Sequence, residues 1–581
     1  MKRPLAVVGA ALLFAGVARA AEPVVERDVA VPMRDGVVLR ADVLRPAGSG
    51  PFAVLVYRTP YNKRSAPETY TTFAHAVERG YAVVLQDVRG RYASAGEYAA
   101  YRHEGQDGFD TIEWAAKQPW SNGDVGTFGL SYPGAVQWLA AMEAPPHLKA
   151  MAPAMTFATP RNFFLSGGVF DLSWISWIWN SIAPDTRVRK NLPGPRTEEE
   201  AEAEWQKRRD ELRGRLPLNA LHELRDAAPY YFEWMEHPAM DPWWDWAELR
   251  GKYGRVKAAV LNLSGWHDEA YGPDGAITNF RGLLESRKAE ADPRTRLVMG
   301  PWVHGVGATK AEKSGDRVFG PAAAIDYDET VLRFMDCYLR GIDNGLEKEK
   351  RARVFVMGEN AWHEGDGWPV APTQRLTLFL SRETSGPGRL GTEAPLVRGG
   401  ATSFVSDPAN PVTDPFANQV GAHDYRAMKE RANVASFETE PLEADLTVVG
   451  AMQAEIRVSS DAPDTDLWVK VYDVAPDDTA FNLMSPGLDV ERASTRDGSL
   501  TPRLMKKGEI VTLKFSNLYT GNRFARGHRL RVVLTPEFFP HFSRNLHTGE
   551  RETTSARMRK ARITIHHDAR NPSRLVLPVL P

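Results

Sequence analysis

The chain has 581 residues, 43% hydrophobic and 25% charged, with one cysteine and a formal net charge of −2. That length exceeds one ordinary domain and gives two or three. The charge balance shows no basic excess for nucleic acid, and Cys337 alone allows neither an intrachain disulfide nor a cysteine-based zinc site.

The first residues read as a secretory signal. Lys2 and Arg3 precede an apolar run at 5–17 that is too short to span a bilayer, and Ala18-Arg19-Ala20 is an A-x-A cleavage pattern. The expectation is cleavage near Ala20 and a mature start at Ala21, with no cysteine there for a lipid anchor. The mature protein is expected to be exported, periplasmic or extracellular, with no further membrane segment.

Asp35-Gly36 between alternating apolar runs predicts a hairpin. The continuous apolar run 52–57 predicts a strand buried on both faces, ending in Arg58-Thr59-Pro60-Tyr61-Asn62-Lys63. A helix over 73–80 closes on Gly80, a strand covers 81–87, and 88–96 is a glycine-bearing loop. A helix over 107–117 and a strand over 124–128 lead into Gly129-Leu130-Ser131-Tyr132-Pro133-Gly134. Strand–helix alternation implies right-handed crossovers and a mostly parallel sheet, with sites beyond the carboxyl ends of its strands. Tyr61, Asp87 and Ser131 all fall at that edge.

Ser131 occupies the apex of a strand–turn–helix pattern, as in a nucleophile elbow. Gly129 is the small residue before it. Position +2 is Pro133 instead of glycine, tolerable in a first helical turn, and Gly134 follows. On the motif alone, a turn without chemistry stays open.

Over 157–250 the alternation stops. Charged helical runs such as 198–213 and ten aromatics (Trp174, Trp177, Trp179, Tyr230, Tyr231, Phe232, Trp234, Trp243, Trp244, Trp246) predict an inserted helical cap. Most of these rings are expected in the cap's own core, with some lining an apolar pocket. The sheet resumes with strands over 256–265 and 294–300, followed by Trp266-His267-Asp268 and Pro301-Trp302-Val303-His304, and a helix over 331–340 closes this part. After Arg351 short β-runs at 353–357, 376–380, 454–458, 467–472, 510–515, 530–534 and 563–566 predict an all-β sandwich, a jelly roll.

Ser131, Asp268 and His304 follow predicted strands in the order Ser…Asp…His. His304 would take the serine proton and return it to the leaving group, and Asp268 would fix the histidine tautomer. The backbone N–H of Tyr132 is one expected oxyanion donor, and the Tyr61 hydroxyl is a candidate for the second. Two neighbours compete with this set. His267 adjoins Asp268 but should point away from it, and Asp87 precedes the serine, where it would brace the loop together with Arg89.

The motifs Arg58-Thr59-Pro60-Tyr61-Asn62-Lys63, Gln86-Asp87-Val88-Arg89-Gly90, Gly129-Leu130-Ser131-Tyr132-Pro133-Gly134, Gly265-Trp266-His267-Asp268 and Gly300-Pro301-Trp302-Val303-His304 resemble the family of bacterial cocaine esterase, the α-amino acid ester hydrolases and the X-Pro dipeptidyl-peptidases. The likeness extends to Gly358-Glu359-Asn360-Ala361-Trp362 and Phe542-Ser543-Arg544-Asn545, across nearly the whole mature chain. It implies an α/β-hydrolase core with an inserted helical cap and a C-terminal jelly roll. The expected division is signal 1–20, core 21–156, cap 157–250, core 251–350 and β-sandwich 351–581. It also implies that Tyr61 is the second oxyanion donor, and its G-x-S-Y-x-G pattern accounts for the shifted glycine.

In the α-amino acid ester hydrolases, carboxylates just after the catalytic aspartate hold the substrate ammonium. The matching positions here are Ala270 and Tyr271, with Glu269 one residue early. That departure points to a neutral or aromatic acyl group. The expected activity is hydrolysis of small acyl esters or amides through an acyl-enzyme, without cofactor, metal, nucleic acid or membrane partner. An X-Pro dipeptidyl-peptidase, an α-amino acid ester hydrolase, and a carbohydrate-binding protein with a degenerate core are the alternatives. Asp461-Ala462-Pro463-Asp464-Thr465-Asp466 lacks the glycine and distal glutamate of a calcium loop, and His566-His567-Asp568 reads as a strand end. Activity is expected to fall as pH drops through the His304 pKa, about 6.5 if unperturbed.

Overall fold

A computed structural model describes residues 22–288, 292–382 and 387–581; the expected signal segment lies outside them. The first sheet is built from β1 (Val24–Pro32), β2 (Val38–Arg45), β3 (Phe52–Thr59), β4 (Ala82–Asp87), β5 (Ser121–Leu130), β6 (Leu148–Ala154), β7 (Ala259–His267), β8 (Thr295–Val303), β9 (Ala352–Val356) and β10 (Ala361–Gly365). Its spatial order is β1-β2-β4-β3-β5-β6-β7-β8-β9-β10. The central pairings from β4 to β9 are parallel, and the antiparallel pairings are confined to the two ends. Because parallel strands need crossovers, helices cover both faces.

Side chains alternate across each strand, so one apolar run feeds two cores. Along β3, Val54 and Val56 face a core shared with Ile112 of the helix Glu104–Ala116 and Trp138 of the helix Tyr132–Met142. Leu55 and Tyr57 face the opposite core, with Phe73 of the helix Thr72–Glu78 and Leu332 and Met335 of the helix Tyr327–Arg340. The 33–37 turn closes the expected hairpin, with Met33 N–H donating to the Val37 carbonyl at 2.8 Å.

Two departures from the sequence reading concern this sheet. The strand β6 had no place in it. The β-run at 353–357, grouped by sequence with the sandwich, pairs with β8 as β9 and carries β10 on its far edge. Both strands thus complete the hydrolase sheet, because β8 would otherwise be an open edge.

Between β6 and β7 stands a helical layer that includes Ser173–Trp177, Ala183–Lys190, Glu198–Gly214 and Pro229–Glu236. The remaining β-runs form a 12-stranded sheet system around a separate core that includes Phe437, Ile456, Leu513, Val532 and Ile563. The architecture is therefore an α/β-hydrolase core with a helical cap and a C-terminal jelly-roll layer. The three parts meet near the strand ends: Ser485 Oγ donates to the Asp268 carbonyl at 2.6 Å, and Phe170 N–H of the cap donates to Ser543 Oγ at 3.2 Å.

Candidate active site

Ser131 sits where β5 turns into the helix Tyr132–Met142, with φ 71° and ψ −129°. A non-glycine residue at positive φ is strained, by about 1–3 kcal/mol, and persists only where its surroundings hold it. They hold it here. Ser131 N–H donates to the Ala154 carbonyl at 3.0 Å, and its own carbonyl accepts from Gly134 and Ala135, both at 2.9 Å. Gly129 and Gly134 are required by space: a Cβ on Gly129 would stand 2.6 Å from Pro133 Cβ, and one on Gly134 2.6 Å from the Ala154 carbonyl oxygen. The strand and helix backbones thus approach as an elbow demands.

Tyr132 is the first residue of its helix, so its N–H has no acceptor inside the helix and sits at the positive end of the helix dipole. Its side chain points the other way. The Tyr132 hydroxyl donates to Glu104 Oε1 at 2.8 Å and accepts the Tyr101 N–H at 2.9 Å, and Glu104 pairs with Arg58 at 2.9 Å. This buried network lies beneath the elbow.

Asp268 and His304 emerge just after β7 and β8. His304 Nδ1 lies 2.9 Å from Asp268 Oδ1. Against a carboxylate Nδ1 is the protonated nitrogen, which leaves Nε2 as the free base. The Asp268 carboxylate is fully buried and also accepts the N–H groups of Ala270 at 3.1 Å and Tyr271 at 3.3 Å. Burial by itself would lower the His304 pKa; the charge and hydrogen bond of Asp268, with the charge of Glu269, outweigh it and hold the imidazole above its ordinary value. Glu269 also accepts the His304 backbone N–H at 3.0 Å.

His267 is excluded as the base by the same geometry. It is fully buried, neither ring nitrogen has a protein partner, and burial pushes its pKa down to about 3. Asp87 does brace the loop, but not with Arg89. It accepts the Lys63 N–H at 2.7 Å and lies 3.3 Å from both Lys63 Nζ and Ala93 N–H, whereas Arg89 pairs with Asp107 at 2.6 Å and Asp35 at 2.7 Å.

Ser131, His304 and Tyr61 line one cavity of about 860 Å³, within the size range of small-molecule sites. Tyr61 OH accepts the Trp177 Nε1–H at 2.9 Å and shares the cavity wall with Ser131. Burial raises its pKa to about 12 against the pull of the Trp177 hydrogen bond, so the phenol keeps its proton at neutral pH. Of the ten cap aromatics, Trp174 and Trp177 line the cavity; Trp179, Trp234 and Trp244 are core. Glu68, Glu198 and Glu269 also line it, and among the described residues no lysine or arginine does. Among the described residues no group of three or more His, Cys, Asp or Glu is placed to hold a metal ion.

Sequence reasoning missed three contributors. By sequence Trp177 is one cap aromatic among ten, Ser485 belongs to the β layer, and Tyr271 is only a departure from an ammonium grip. None carries a motif; each acts through a tertiary contact.

Residues 35–306 match the X-Pro dipeptidyl-peptidase (S15 family), and residues 344–576 match the X-Pro dipeptidyl-peptidase C-terminal non-catalytic domain. The chain is 32% identical to the cocaine esterase of Rhodococcus sp. (strain MB1 Bresler) over 96% of its own length and 98% of that protein's. Among solved structures it is similar to an aminopeptidase from a marine sediment Thaumarchaeota archaeon, with TM-score 0.80, 23% identity and 96% and 97% of the two chains covered. It is also similar to an α-amino acid ester hydrolase, with TM-score 0.77, 24% identity and 100% and 98% covered. At those identities the structural likeness speaks for the fold.

Proposed function

The chain belongs to the serine-hydrolase family of bacterial cocaine esterase, the α-amino acid ester hydrolases and the X-Pro dipeptidyl-peptidases, and from that premise we propose that it is an exported carboxylic-ester hydrolase working through Ser131, His304 and Asp268. The observation that carries this reading is the 2.9 Å His304–Asp268 contact opening on the same cavity as a serine held at φ 71°. Nε2 of His304 takes the Ser131 proton as Oγ attacks the acyl carbon. The oxyanion is met by the Tyr132 N–H and the Tyr61 hydroxyl, whose proton is free because its oxygen accepts from Trp177. His304 then protonates the leaving alkoxide, and water cleaves the acyl-enzyme by the same steps in reverse.

Asp268 keeps the imidazole in one tautomer and balances its charge when protonated. The neutral Ala270 and Tyr271 after Asp268 favour a neutral or aromatic acyl group against Trp174 and Trp177. One observation favours a second reading, an α-amino acyl ester or X-Pro peptide: Glu68, Glu198 and Glu269 line the cavity and, among the described residues, no lysine or arginine does. The test is kcat/KM on a neutral aryl ester, an α-amino acyl ester and an X-Pro anilide, with Ser131→Ala as control. The first reading expects the neutral ester to lead and the variant to be inactive. A lead for either of the others makes the second reading the function, and turnover that survives in Ser131→Ala removes both.

A further inference from the structure

Hydrolysis of an acyl-enzyme needs more than a base. The attacking water must sit within about 3 Å of both His304 Nε2 and the acyl carbon on Ser131, and its second hydrogen needs an acceptor if the molecule is to be oriented. Such an acceptor must face the cavity beside both residues and have a lone pair to spare.

Tyr271 meets these conditions. It lines the cavity together with Ser131 and His304, and its ring centroid lies 5.7 Å from that of His304. Its position is fixed from three sides. The Tyr271 ring stacks on Phe163 at 4.9 Å and 10°, its N–H donates to Asp268 Oδ1 at 3.3 Å, and its hydroxyl lies 3.1 Å from that of Tyr101. A phenol oxygen has two lone pairs, so one can take the Tyr101 proton and leave the other for a water in the cavity. Tyr61 is committed elsewhere, its oxygen accepting from Trp177 and its proton serving the oxyanion, and Glu269 Oε2 accepts the His304 backbone N–H.

On the serine-hydrolase reading above, we propose that Tyr271 is a positioning residue for the hydrolytic water, accepting its second hydrogen while His304 takes the first. The water oxygen forms the new bond to the acyl carbon. The bond from that carbon to Ser131 Oγ breaks, and the proton taken by His304 passes to Oγ. Tyr271 gains and loses no proton.

Methanol tests this directly, because it has the one hydrogen His304 needs and lacks the second. The acyl-enzyme formed from p-nitrophenyl butyrate is partitioned between water and methanol, and butyric acid and methyl butyrate are measured together. The ratio depends on deacylation alone, whichever step limits turnover. In Tyr271→Phe the ester-to-acid ratio is expected to rise about fivefold, the effect of one ordinary hydrogen bond lost from the water path only. Tyr271→Met carries the same expectation should the phenylalanine variant fail to fold. Tyr101→Phe, which keeps the Tyr271 hydroxyl, should stay within about twofold of the wild type. An unchanged ratio in an active Tyr271 variant overturns the proposal and leaves the serine-hydrolase reading intact. So does an equal rise in Tyr101→Phe, which would mean general loosening. If the wild type releases no p-nitrophenol above Ser131→Ala, the underlying reading fails and takes this proposal with it.

Discussion

Tyr61 holds its proton far above neutral pH and has its oxygen already engaged by Trp177, so it can act on the oxyanion only as a donor. Tyr61→Phe keeps the ring and removes that donor. The expected result is a fall in kcat of about 100-fold with KM little changed, since one oxyanion donor contributes about 3 kcal/mol to the transition state alone. Steady-state kinetics on an aryl ester checks it. His304 makes a second prediction, with a sign. The base must be neutral, and its pKa is held above the ordinary 6.5, mainly by Asp268 working against burial. The acid limb of kcat/KM should therefore lie above pH 6.5. Glu269→Gln keeps a hydrogen-bond acceptor for the His304 N–H and removes one of the two negative charges that raise the pKa, so the limb should move toward lower pH. A limb that stays put shows that Asp268 alone sets it. That Ser131, Asp268 and His304 would stand together at one edge of the sheet was legible in sequence, because each follows a strong strand pattern. Tyr271 and Trp177 were not, because what each does is decided by which ring or hydroxyl lies opposite in space.

At the scale of elements, the elbow depends on how closely the helix Tyr132–Met142 lies on β5 and β6. A methyl group at Gly134 would meet the Ala154 carbonyl at 2.6 Å, with Thr156 Cβ at 3.2 Å. Backbone cannot yield cheaply there, so Gly134→Ala should cost about 1–3 kcal/mol in chemical unfolding. It should also lower kcat, because the carbonyl that would be pushed is the one that holds Ser131 N–H. A variant of wild-type stability and activity would mean that the helix can retreat without moving the serine. The strand that supplies this carbonyl, β6, escaped the sequence reading for a physical reason. Leu148-Lys149-Ala150-Met151-Ala152-Pro153-Ala154 is rich in alanine and holds a proline, both poor strand residues, and every position but Lys149 is buried. Burial between two parallel neighbours makes it a strand. The run at 353–357 was legible as β and misassigned in space, since a local pattern does not say which sheet a strand completes.

Across the whole molecule, the cap and the β layer hold the site through buried charge. Arg492 pairs with Asp466 at 2.8 Å and Glu552 at 3.0 Å, and all three are buried. Glu552 accepts Ser543 Oγ–H at 2.7 Å, and Ser543 Oγ in turn accepts the Phe170 N–H of the cap. The Arg492 N–H donates to the Gly167 carbonyl at 2.9 Å, so the same residue ties the β layer to the cap twice. Arg492→Ala would strand two carboxylates out of water with their cation gone. The expected loss is about 3–5 kcal/mol, measured as the shift in a denaturant midpoint. Because the cap carries Trp177, and Trp177 orients Tyr61, esterase activity should fall at denaturant concentrations below those that unfold the hydrolase sheet. Parallel loss of activity and sheet structure in the variant would instead mean that core, cap and β layer unfold as one unit, with no separable docking step for Arg492 to hold.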